Sequence, residues 1–103
     1  MTPAVRPVTC ALPGMSEMFC LSGRTALVTG GNSGLGEAMA TALGLAGARL
    51  LLLARRQPEL DEAAARLTSL GIDTLTLSAD LAAPDAIAAS AAQALALSGR
   101  VDI

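Results

Sequence analysis

Tyrosine, lysine, histidine and tryptophan do not occur in this chain of 103 residues, and Phe19 is its single aromatic side chain. Without histidine the commonest general base and a frequent metal ligand are gone. The two cysteines, Cys10 and Cys20, lack metal-ligand spacing, so no metal site is expected. Both are read as free, reduced thiols. The scarcity of aromatics excludes a platform for stacked nucleobases. The seven basic residues are all arginine, scattered along the chain, and the net charge is −2, so no basic stripe offers itself to nucleic acid. Long apolar runs are also missing. The longest candidate, Leu50 to Ala54, is strand-sized, well short of the about 20 residues of a membrane span. A soluble, cytoplasmic protein with neither a membrane nor a nucleic-acid partner is expected.

Apolar residues make up 52% of the chain and charged residues 16%, ample material for one core at a length that holds one domain. Residues 1–18 contain Pro3, Pro7 and Pro13 and read as a disordered extension rather than a targeting segment, with Met15 or Met18 as an alternative start. Ordered pattern begins after them.

The run Arg24 to Thr29 is short, partly β-branched and stopped by glycine, as befits a strand buried on both faces. The turn Thr29-Gly30-Gly31-Asn32-Ser33-Gly34-Leu35-Gly36 follows. From Gly34 to Ala46 a helix is expected with Leu35, Ala38, Met39, Ala42, Leu43 and Ala46 on its buried face and Gly47 just past its end. Ala48 to Ala54, with four consecutive leucines, reads as a second doubly buried strand. Pro58 opens a helix that Gly71 closes, with Leu60, Ala63, Ala64, Leu67 and Leu70 on one face. Thr74 to Ala79 alternates polar and apolar residues and is placed outermost in the sheet. Pro84 starts a third helix with a weak face of Ile87, Ala91, Ala94 and Leu95, and Gly99 ends it. Arg100-Val101-Asp102-Ile103 leads into a fourth strand. The fold class is therefore α/β, a Rossmann-type doubly wound parallel sheet, truncated after three βα units, with strand order 3-2-1. Residues 19–103 are expected to be the N-terminal, incomplete part of such a domain, unstable or aggregation-prone alone because its first strand has an open edge.

A glycine-rich turn between a strand and a helix lets backbone N–H groups close on a phosphate at the positive helix end. A Walker-type loop is ruled out by the lack of lysine. Thr29 to Gly36 matches the Thr-Gly-x-x-x-Gly-x-Gly signature, and from about Phe19 to Ile103 the chain resembles the short-chain dehydrogenases/reductases. The opening Phe19-Cys20-Leu21-Ser22-Gly23 is similar to the branch with gluconate 5-dehydrogenase and 3-oxoacyl carrier-protein reductases. The resemblance implies that Gly30, Asn32, Ser33, Gly34, Leu35 and Gly36 line a dinucleotide's pyrophosphate and adenosine ribose, and that Asp80 with the Leu81 backbone meets the adenine. A strand-ending turn aspartate is the plain alternative for Asp80.

The residue that would accept from the ribose 2′-OH, at the end of the second strand, is Ala54, and Arg55 follows it. Arg55, with Arg56, suits a 2′-phosphate through a charge-assisted bond of about 1.5–3 kcal/mol. NADP(H) is therefore the expected cofactor, with NAD as the alternative; Ser33 stands where some family members add a second basic residue. Two solvated loop arginines are the plain reading of Arg55 and Arg56. The family's Tyr-x-x-x-Lys pair has no counterpart here, so no catalytic residue is assigned and the chain as it stands is expected to be inactive. The resemblance implies the cofactor-binding half of an oxidoreductase passing hydride between nicotinamide and a small carbonyl or alcohol substrate, homo-oligomeric at full length. The alternative is a non-catalytic dinucleotide-binding module or a decayed gene product.

Overall fold

The computed structural model describes residues 19–103. The expected N-terminal extension, with Cys10 and the alternative starts, lies outside them. Three strands, β1 (Thr25–Thr29), β2 (Arg49–Ala54) and β3 (Thr74–Ser78), alternate with three helices, α1 (Gly34–Leu45), α2 (Gln57–Ser69) and α3 (Pro84–Ser98). All pairings are parallel, β2 lies in the middle, and the order is the expected 3-2-1 read from the other edge. The register sets Leu27 beside Leu51, and Leu51 beside Leu75.

Leu50 to Leu53 of β2 are each at most 4% exposed. Because side chains alternate across a strand, Leu50 and Leu52 face one side and Leu51 and Leu53 the other. The first pair joins Ala26, Val28, Ala40, Leu60, Ala63, Leu67 and Ile72 in a core beneath α1 and α2. Two right-handed crossovers in one direction put both helices on that face. The chain then returns past α3 to the far side of β1, which assigns α3 to the opposite face by the same rule. β3 is only half-buried, as its alternation required of an outermost strand.

The return brings residues 101–103 alongside β1. Leu27 N–H donates to the Ile103 carbonyl at 2.8 Å and Ile103 N–H to that of Thr25 at 3.1 Å, the bonding of a parallel neighbour facing Ala26. Asp102 anchors the approach. Its carboxylate accepts from Thr25 N–H at 2.8 Å and from Arg100 at 2.8 and 2.5 Å. The Arg100 hydrogen bonds, then the Thr25 amide, hold this carboxyl below the usual aspartate range. Among the described residues, β1 has no neighbour on this side past Leu27.

Two helix faces depart from the hydropathy pattern. On α1 the buried residues are Ala40 and Gly44, with Leu43 half-buried against the core, whereas Leu35 is 77% and Met39 52% exposed. On α3 only Ala94 of the four expected residues is buried, together with Ser90 and Ser98, while Ile87, Ala91 and Leu95 are exposed. In both helices a stripe of small residues at four-residue spacing faces inward. Small side chains let a helix backbone approach its neighbour closely, an advantage that a hydropathy pattern does not register. Leu70, expected on the α2 face, is also exposed, since it caps the helix instead of continuing it. Cys20 is disulfide-bonded, which corrects the free thiol expected there. The spacing addressed metal ligation, and the reduced state was read from the expected compartment alone, which carries no information on local thiol pairing.

At Gly44 a Cβ would come within 2.5–2.9 Å of three Ile72 side-chain carbons. Ile72 is buried and branched, so it yields poorly. Gly44→Ala should therefore lose about 1–3 kcal/mol to overpacking, offset by about 1 kcal/mol of helix propensity. A lower urea midpoint is expected, partly restored by adding Ile72→Val; a raised midpoint would show that the close approach does not constrain the fold.

Candidate functional site

Parallel strands deliver their C-terminal ends to one side of a sheet, and the three turns there border an open cavity of about 550 Å³. Thr29 ends β1, and Gly30, Asn32 and Ser33 come from the turn after it. Leu53 to Arg56 and Glu59 come from the end of β2 and the start of α2, and Ala79 to Ala82 from the turn after β3. Ladder bonds fix the turns to one another: Gly30 N–H donates to Leu53 at 2.8 Å and Ala79 N–H to Ala54 at 2.9 Å.

The glycine turn is held by contact rather than by side-chain bonds. Gly30 and Gly34 adopt φ of +67° and +58°, the left-handed region that other residues avoid. A Cβ on Gly36 would run into the Gly30 carbonyl oxygen and come 2.8 Å from its carbon, so only glycine lets α1 begin directly against the turn. Ser33 is extended at the N-cap, and its hydroxyl bonds no helix N–H. The first-turn amides of α1 therefore keep their positive end open toward the turn.

Of the residues singled out in the sequence, Gly30, Asn32, Ser33, Arg55, Arg56, Asp80 and Leu81 line the cavity together. Gly34, Leu35 and Gly36 do not; they form the first residues of α1, Leu35 exposed and Gly36 packed on Gly30. Asp80 also has the plain turn role, since its Oδ1 accepts from Ala82 N–H at 3.0 Å. The two arginines differ. Arg56 reaches Glu59, one helical turn on, at 3.5 Å, whereas the Arg55 guanidinium has no hydrogen-bond or ion-pair partner among the described residues. The Arg55 backbone is fixed by Ser78, whose hydroxyl donates to the Arg55 carbonyl at 2.8 Å.

Glu59 and Ser78 were missed by sequence reasoning. For Glu59 the three-residue spacing from Arg56 was the available signal. Ser78 had none, because its partner lies across a strand. The lining offers amide donors, a guanidinium and an apolar wall of Leu53 and Ala54, which together suit an anionic, partly apolar ligand. Among the described residues no group of three His, Cys, Asp or Glu side chains could hold a metal, and no helix is long and apolar enough to cross a membrane.

Residues 24–103 match the short chain dehydrogenase family. An uncharacterized oxidoreductase of Mycobacterium tuberculosis is 41% identical over 84% of this chain and 33% of its own length. The rhamnolipids biosynthesis 3-oxoacyl-[acyl-carrier-protein] reductase of Pseudomonas aeruginosa is 44% identical over 86% of this chain and 34% of its own length. Among solved structures, a 3-oxoacyl (acyl-carrier-protein) reductase from Agrobacterium tumefaciens with NADP bound superposes with a TM-score of 0.80 at 33% identity, covering 85% of this chain and 34% of that one. The chain thus spans about a third of the length of the curated relatives it matches.

The first turn of α1 is tied to α2 by a bidentate pair, in which Arg66 donates through Nε and Nη2 to Glu37 at 2.7 Å each. These hydrogen bonds, and secondarily the Arg66 charge, hold the Glu37 carboxyl below its ordinary value of 4.5. A depressed carboxyl stabilises the fold above its unfolded-state value and loses that contribution as pH falls through its folded value. Because Arg66 is more than half exposed, solvent screening keeps the effect small. Glu37→Gln should lower the urea midpoint near neutral pH, with the gap closing well below pH 4.5; a gap independent of pH would show that the pair does not act through charge.

Proposed function

Since the chain belongs to the short-chain dehydrogenase family, we propose that it forms the dinucleotide-binding part of an NADP(H)-dependent oxidoreductase. The observation that carries the choice of NADP(H) is the end of β2: Ala54 brings no carboxylate, and Arg55, without a partner among the described residues, stands at the cavity. A carboxylate at that place would repel a 2′-phosphate, whereas a free guanidinium binds it with charge-assisted hydrogen bonds. The NADP bound to the Agrobacterium relative supports the same reading.

The dinucleotide fits the residues present. The lack of a Cβ at Gly36 lets α1 begin directly against the glycine turn, and the open first turn of α1 there supplies donors that suit a pyrophosphate. In this reading Gly30, Asn32 and Ser33 in the cavity, with Gly34, Leu35 and Gly36 at the start of α1 beside them, hold pyrophosphate and ribose, Asp80 with Leu81 bounds the adenine, and Arg55 takes the 2′-phosphate with Arg56 nearby. When bound, the cofactor supplies a hydride for exchange with a small carbonyl or alcohol substrate. This chain's own residues bind and orient it. They include no tyrosine or lysine, so the catalytic step is proposed only for a protein that supplies those groups, and this chain by itself is a binding module.

Fluorescence titration with NADPH and NADH tests the assignment. Arg55→Ala should weaken NADPH binding about tenfold, the equivalent of about 1.4 kcal/mol, and leave NADH binding unchanged. No preference for NADPH in the unaltered chain, or none lost in the variant, would overturn it.

A further inference from the structure

The carboxylate missing at Ala54 has a counterpart in the same cavity. Glu59, contributed by the first turn of α2, lines it beside Arg55 and Arg56, and its Oε2 lies 3.5 Å from Arg56 Nη1. We propose that Glu59 sets the dinucleotide selectivity of this cavity, by engaging Arg56 and by opposing a second phosphate charge, so that Arg55 alone reads the 2′-position. This rests on the NADP(H) reading above.

Four charged side chains line the cavity: Arg55 and Arg56 are positive, Glu59 and Asp80 negative. The site is therefore neutral overall, an odd balance for receiving a dianionic phosphate. Asp80 is bound into its own turn through the Ala82 amide, which leaves Glu59 as the carboxylate that answers to the arginines. The two arginines are adjacent in sequence but differ in engagement. Arg56 is the N-cap of α2, so Glu59 three residues on falls within its reach, while Arg55 lies a residue earlier, outside that reach, with its carbonyl held by Ser78. The pair is exposed, 71% at Arg56 and 41% at Glu59, so it acts as a weak and adjustable counterweight rather than a lock. Neutralising Glu59 removes the opposing charge and releases a second guanidinium into the same cavity in one step.

Glu59→Gln should strengthen binding of NADPH, and of adenosine 2′,5′-bisphosphate as a probe lacking nicotinamide, about two- to fivefold, as expected of an exposed pair. NADH binding should stay the same, and the gain should shrink with added salt. Arg56→Gln alone should cost NADPH binding clearly less than Arg55→Ala does, yet added to Glu59→Gln it should erase most of the gain. Circular dichroism of each variant checks that α2 survives, and Arg56→Gln alone, which leaves Glu59 in place, gives an independent readout if Glu59→Gln disturbs the helix. An unchanged NADPH-to-NADH ratio in Glu59→Gln, or a loss in Arg56→Gln alone as large as that in Arg55→Ala, overturns the inference. The cofactor reading fails separately, if Arg55→Ala costs no NADPH binding; loss in Arg55→Ala without any response to Glu59→Gln sinks only the selectivity role.

Discussion

Burial of β2 on both faces is the constraint from which the rest follows. A strand whose four leucines are almost inaccessible must be flanked by strands and covered above and below. Parallel neighbours joined by right-handed crossovers meet that demand, and they also carry every strand's C-terminal end to one side. The cavity is thus a by-product of how the leucines are hidden. Its walls are the turns that the chain needs anyway to leave each strand for the next helix.

The order and type of the elements were legible because their signals are strong and local. Glycine and proline mark the ends of α2 and α3 to within two residues, and the leucine run names β2. The inward faces of α1 and α3 were not legible, because Gly36, Ala40, Gly44, Ser90, Ala94 and Ser98 contribute closeness of approach rather than hydropathy. Large apolar residues such as Leu35 and Met39 drew the pattern to the opposite side. At the site, the glycine turn was readable from its place between a strand and a helix, Arg55 and Arg56 from their place just past the second strand, and Asp80 only through the family resemblance. The place of Glu59 in the cavity emerges only once α2 is set against the end of β2. Asp102 and Ser78 act on partners 77 and 23 residues away, distances at which no local signal exists.

The edge of β1 shows how one side chain finishes what backbone pairing begins. Asp102 accepts the Thr25 amide while Arg100 and Arg24 hold its charge, so the carboxylate occupies a donor that would otherwise invite another strand. The same residue brings Ile103 into register with Ala26. Pairing along this edge therefore starts from a fixed position.

The hydrogen bond from Ser78 to the Arg55 carbonyl has a thermodynamic meaning for recognition. With its main chain already tethered to β3, Arg55 has only its side-chain rotamers left to restrict when an anion arrives. Preorganisation of this kind lowers the ordering entropy of association, so discrimination between ligands that differ by a single phosphate rests on the enthalpy of that contact.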